Sequence, residues 1–177
     1  MIFIETDRLR LRNVAANDVE IMHDYRNNEV CARYQRGQIK DLGGIADLVE
    51  RRKTDVITVE YPFMIAVALK SSDEMIGEIV VMPEEETFSI GYTFSYKFHR
   101  RGFAFEALSA IINLLHVQYP SWEFISFTEP ENTASMALLG KLGYSDMGYL
   151  PHKKSQVFGK WIKATTKAEI EKARSCG

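Results

Sequence analysis

Residues 99 to 108 read HRRGFAFEAL: two arginines, a glycine and a small residue stand directly ahead of an apolar run with helical spacing. A helix N-terminus offers unpaired N–H groups and a partial positive charge, so it favours an anion. A glycine there removes the side chain that would block approach. Phosphate is the natural occupant. The stretch admits a second reading, in which Gly102 only turns the chain and Arg100 and Arg101 form a solvated rim. The helix itself is set by Ala104, Ala107, Leu108, Ile111, Ile112 and Leu115. They recur at steps of three and four as far as about His116, one apolar stripe suited to lie on a sheet.

Sheet-forming segments stand on both sides. Upstream, TDRLRLRNV alternates Leu9 and Leu11 with Arg8, Arg10 and Arg12, the period of two of a half-buried edge strand. YPFMIAVAL, MIGEIVVM and FSIGYTFS, separated by KSSDE and PEEE, predict a three-strand antiparallel meander. Ahead of the meander, Asn17 and Asp18 are candidate caps for a helix to about Asn27, and a second helix is expected over residues 45–53. Downstream, WEFISF supplies another strand and ENTASMALLGKLGY a helix stopping at Gly143. Two further strands are expected over residues 145–150 and 157–166. The sum is an α+β fold: one domain over residues 1–177, with a mixed, mostly antiparallel sheet of about six or seven strands flanked by about four helices.

Composition excludes several functions. A chain of 177 residues with 46% hydrophobic side chains holds one domain with a real core, and a net charge of -2 lacks the footprint of a dedicated nucleic-acid binder. Cys31 and Cys176 have no metal-ligand or disulfide-framework spacing, so no metal site is expected and a reducing, cytoplasmic setting fits. The N-terminus reaches charge within five residues, unlike a signal peptide, and no apolar run approaches the ~20 residues of a membrane span. Neither LGKLGY nor FGKWIK supplies the phosphate loop of a nucleotide hydrolase or kinase.

Taken in order, FSIGYTFS, HRRGFAFEAL, WEFISF and EPENTASMALLGKLGY resemble the GNAT acetyltransferases, in particular the RimJ/RimL type of ribosomal-protein N-terminal acetyltransferase. The likeness is collinear, beginning at ETDRLRLR, including RNNEVCARY and reaching VFGKWIKA. It implies a single GNAT-like domain splayed between the fourth and fifth strands, with acetyl-CoA as cosubstrate. Backbone N–H groups from Arg100 to Ala104, with a helix starting at Phe103, would nest the pyrophosphate while Arg100 and Arg101 screen its charge. His99 departs from the glutamine or arginine usual there. Thr93, Phe94 and Ser95 would line one side of the pantetheine groove and Thr128 and Glu129 the other. Ordinary core packing is the alternative for Tyr92, Phe94 and Phe127.

Acyl transfer from a thioester needs a neutral amine, a stabilised oxyanion and a proton for the thiolate. A backbone N–H near Phe94 or Ser95 can serve the oxyanion. Many GNAT enzymes place a tyrosine four residues before the glycine of the GF or GY pair, but that position is Leu139 here. Tyr144 suits packing better. The resemblance points instead to Ser135 as proton donor and Asn132 as holder of the pantetheine or a water; surface filler and helix capping are their alternatives. Glu129 and Glu78 are candidate bases acting through water, while the acid that relatives often carry before IGY is Ser89. The acceptor would be a primary amine, either a protein N-terminus or a small molecule, attacking the thioester directly. The other function open to this sequence is a non-catalytic acyl-CoA sensor. Either could be a monomer or a homodimer.

Overall fold

Strand β3 (Phe63–Leu69), FMIAVAL, is apolar at every position because helices cover both of its faces. Around it, in a computed structural model describing residues 1–175, eight strands form one mixed sheet. The others are β1 (Ile2–Glu5), β2 (Leu9–Arg12), β4 (Met75–Glu84), β5 (Thr87–Phe94), β6 (Glu123–Thr128), β7 (Ser145–Leu150) and β8 (Ser155–Lys160). Their order is β1-β2-β3-β4-β5-β6-β8-β7, antiparallel throughout except for β5 against β6. Six α-helices accompany them among the described residues: α1 (Val19–Asn27), α2 (Glu29–Ala32), α3 (Leu42–Arg52), α4 (Phe103–Gln118), α5 (Thr133–Lys141) and α6 (Ala164–Ser175). Cys176 lies outside the described residues, and Cys31 is a free, buried thiol.

Several expectations are corrected. The sheet has eight strands because Ile2–Glu5 adds an edge strand, so the splay falls between the fifth and sixth strands, although on the chain segments foreseen. The last strand stops at Lys160, where Trp161 turns at φ 55°, and residues 164–166, expected as its end, instead open a helix that runs to Ser175. Asp18 does not cap α1 with its side chain: its carboxylate accepts from the buried Arg12 guanidinium and from the Ala15 N–H. The second long helix starts at Leu42, earlier than expected, because Asp41 caps it through the Gly44 N–H at 2.7 Å.

Two cores sandwich the sheet. On one face α4 lays Ala107, Leu108, Ile111, Ile112 and Leu115 against Leu11, Ile65, Ile79 and Phe88. On the other, Met22 and Tyr25 of α1 and Ile45 and Val49 of α3 pack on Met64, Ala66 and Met75. Strands β5 and β6 pair only at Thr87↔Glu123, Phe88↔Phe124 and Ser89↔Ile125. Phe88 pins this paired end, with ring centroids 4.6 Å from Trp122 and 5.2 Å from Phe124. Beyond Ser89 the strands diverge, and the final residues of β5 face β6 without a ladder.

Candidate functional site at the splayed strands

The open edge of β5 has a defined hydrogen-bonding sense. The Ser95 N–H donates to the Ile76 carbonyl at 2.8 Å, so strand alternation turns the backbone groups of Tyr92 and Phe94 away from β4 and toward the splay. Both outward carbonyls have side-chain donors: Gln35 Nε2 lies 3.2 Å from the Tyr92 oxygen and His99 Nε2 lies 2.8 Å from that of Phe94. The Phe94 N–H therefore faces the splay with no partner among the described residues, whereas that of Ser95 is consumed by Ile76. Thr93 faces the opposite side of the sheet, its hydroxyl accepting from Gln38, and its backbone groups, like those of Ser95, turn toward β4, so it offers the groove neither side chain nor backbone. Gly77 permits this packing: a Cβ there would lie 2.7 Å from the Phe94 ring and from the Thr93 carbonyl.

The loop after β5 leads into α4. Gly102 sits at the N-cap with φ 80° and ψ 0°, a left-handed conformation that glycine adopts without strain. The first helical hydrogen bond runs from the Glu106 N–H to the Gly102 carbonyl, so those of Phe103, Ala104 and Phe105 lack helical acceptors. Arg100 is exposed and has no side-chain partner among the described residues. Arg101 stands over the rings of Phe98 and Phe103, 5.6 and 5.1 Å from their centroids. Phe103 itself is buried and anchors the helix start. His99, tied to Phe94, braces the junction of groove and loop through one nitrogen.

Arg8 joins this site with no local signal in the sequence. Its Nε donates to Glu106 at 2.7 Å, its Nη1 to the Arg101 carbonyl at 3.0 Å, and its guanidinium covers the Phe103 ring at 4.4 Å. Thr6 also donates to Glu106. Burial raises the Glu106 carboxyl, but Thr6 and Arg8 outweigh it and hold the group below its ordinary value. The TDR stretch thus braces the loop from 93 residues away, a separation that leaves no local signal.

At the other wall, Asn132 caps α5, its Oδ1 accepting from the Ser135 N–H at 3.1 Å, and its Nδ2 has no partner among the described residues. Ser135 Oγ lies 2.7 Å from the Tyr92 hydroxyl, which joins the two walls of the splay. Thr128 is buried at the end of β6, while Phe127 is 42% exposed and so is not core. Glu129 is gripped by Arg36, both contacts falling on Oε1 and leaving Oε2 open. Arg36 also donates to the Lys153 and Lys154 carbonyls, and Tyr34 donates to the Glu131 carbonyl. Residues 34–38 therefore strap the wide end of the cleft.

Glu78 is committed to a buried ion pair. It is 2% exposed and accepts from Tyr25, from Gln38 and, through both oxygens, from Arg26. Such a carboxylate serves as the counter-charge of Arg26, and taking up a proton would break the pair. Tyr144 is buried against the core beside Leu139, and burial pushes its phenol well up. A surface pocket among Asp146, Lys160 and Arg174 lies at the opposite end of β8 from the splay.

Known proteins share this fold. Residues 8–145 match the family profile described as acetyltransferase (GNAT) domain. The chain is 26% identical over 148 residues to the uncharacterized N-acetyltransferase YnaD of Bacillus subtilis, covering 82% of this chain and 84% of YnaD. A GNAT-family acetyltransferase structure from Bacillus anthracis superposes with a TM-score of 0.76 at 23% identity, over 89% of this chain and 96% of that one. The ribosomal L7/L12 α-N-protein acetyltransferase RimL, in complex with coenzyme A, superposes with a TM-score of 0.77 at 16% identity, over 93% and 99%.

Proposed function

The chain belongs to the GNAT acetyltransferase family, and on that footing we propose that it transfers the acetyl group of acetyl-CoA to a primary amine by direct attack on the thioester. The observation that carries this reading is the meeting, at the end of β5, of an unpaired strand edge with a glycine-turned helix N-terminus. One suits an amide-bearing arm and the other a pyrophosphate. The N–H groups of residues 100–104 hold the phosphates, and Arg100 and Arg101 screen them. Pantetheine lies between β5 and β6 as a surrogate strand, displacing the His99 or Gln35 side chain from its carbonyl. Asn132 Nδ2 reaches the arm.

The thioester then rests between the Phe94 N–H and Ser135. The amine attacks the carbonyl carbon, the Phe94 N–H stabilises the oxyanion, and Ser135 protonates the departing thiolate. A peptide α-amine, with a pKa of ~7.7 to 8.0, is partly neutral near pH 7 and needs little help from a base. Glu129, through its open Oε2 and a water, can take the proton it loses. A protein N-terminus or a small-molecule amine enters under the strap of residues 34–38. No helix among the described residues is long and apolar enough to cross a membrane.

The test is thiol release from acetyl-CoA with a panel of short peptides, amino acids, polyamines and aminoglycosides. Saturable release with at least one amine is expected. Tight CoA binding with no acceleration by any amine would overturn the enzymatic reading in favour of an acyl-CoA sensor.

A further inference from the structure

We propose that Tyr92 is a positioning residue for the acyl transfer: its hydroxyl donates to Ser135 Oγ and thereby aims the serine's own O–H at the thioester sulfur. The inference rests on Ser135 being the proton donor. The two oxygens are 2.7 Å apart, so one hydrogen lies between them and one hydroxyl must donate. Among the described residues Ser135 is the phenol's only hydrogen-bond partner. Burial pushes the Tyr92 phenol up against the lowering effect of that hydrogen bond, which keeps it protonated. A phenol is also the better donor of the two. Tyr92 thus gives its hydrogen to the serine, and the serine O–H is left to point elsewhere.

That direction is the cleft. Ser135 sits in the first turn of α5, its N–H fixed by Asn132, and its hydroxyl is reached from β5, the other wall of the splay. Accepting from Tyr92 also makes the serine O–H a stronger acid. On collapse of the tetrahedral adduct the C–S bond breaks and its electron pair stays on sulfur. The Ser135 proton passes to sulfur, and the serine oxygen, steadied by Tyr92, is reprotonated from Glu129 by way of water, which relays the one proton that the former amine nitrogen lost on becoming an amide. Tyr92 ends as it began.

The experiment compares wild type, Tyr92→Phe, Ser135→Ala and the double variant in the turnover of acetyl-CoA, read as thiol release. Any amine that proves active serves, or water as the slow acceptor. Calorimetric CoA affinity and a melting curve accompany each. Tyr92→Phe keeps the ring and removes the oxygen alone. It should lower kcat about three- to tenfold with CoA affinity unchanged, the range expected of one neutral hydrogen bond. The double variant should be no slower than Ser135→Ala, because the tyrosine acts through the serine. If Ser135→Ala is slow while Tyr92→Phe turns over at the wild-type rate, or if the two losses multiply, the inference fails and the serine reading stands. If Ser135→Ala turns over at the wild-type rate, the serine reading fails and this inference with it. A lower melting temperature with unchanged kcat would mark Tyr92 as structural and overturn the proposal.

Discussion

Replacing Gly102 with valine tests the phosphate loop. Gly102 holds φ 80° and ψ 0°, and a Cβ there would meet nothing nearer than the Arg8 guanidinium at 3.4 Å, an ordinary contact. The penalty is therefore conformational. An L-residue in the left-handed region costs about 1–2 kcal/mol, which for a domain of this size lowers the melting temperature by about 2–8 °C. To escape the strain the backbone must rotate, and rotation swings the N–H groups of Gly102 and Phe103 away from the proposed pyrophosphate position. Two charge-assisted hydrogen bonds at about 1.5–3 kcal/mol each amount to a loss of about 10²- to 10⁴-fold in CoA affinity. Titration calorimetry with CoA beside a melting curve separates the two effects. A melting temperature that falls while the Kd stays within about threefold of wild type would refute the assignment of this loop.

Other outcomes follow from the same geometry. Arg100→Ala and Arg101→Ala should each weaken CoA binding less than Gly102→Val, and the loss should shrink at high salt because exposed charges are screened over ~10 Å at 0.1 M; a salt-independent loss would contradict the screening role. Asn132→Ala should raise the KM for acetyl-CoA, through the proposed loss of its contact with the pantetheine arm, and also lower the melting temperature, since its side chain caps α5; an unchanged KM in steady-state kinetics would remove it from the cofactor site. Arg26→Ala strands a carboxylate that is 2% exposed and should cost about 3–5 kcal/mol in denaturant unfolding, with a loss below about 1 kcal/mol contradicting the buried pair. Burial raises the phenols of Tyr25, Tyr92 and Tyr144 in the folded state, so they favour folding fully below the unfolded value near ~10 and progressively less as pH climbs above it. Melting curves between about pH 9 and 11.5 should therefore fall more steeply in wild type than in Tyr144→Phe, and parallel curves would sink that account.

Local pattern determined much of this molecule. The apolar stripe of α4, the continuous apolar run of β3, the meander and the glycine at the loop follow from periods of 3.6 and 2 and from backbone sterics, all of which are written within a few residues. The same holds for Asn132 as a cap and for the loop carrying Arg100 to Ala104. What the sequence misplaced was equally physical: α6 has a weak polar pattern, and it is fixed to the sheet by Glu123, which accepts from the Lys163 N–H and the Thr166 hydroxyl some forty residues away. Only the tertiary structure decided which polar groups remain free. Glu78 and Glu129 look alike along the chain, yet Arg26 and Tyr25 neutralise one while Arg36 leaves the other an open oxygen. Ser95 and Phe94 are neighbours, yet strand alternation spends one N–H on Ile76 and releases the other. Arg8 and Tyr92 acquire their places because β2 and β5 lie beside α4 and α5, contacts between distant segments that exist only once the chain has closed on itself.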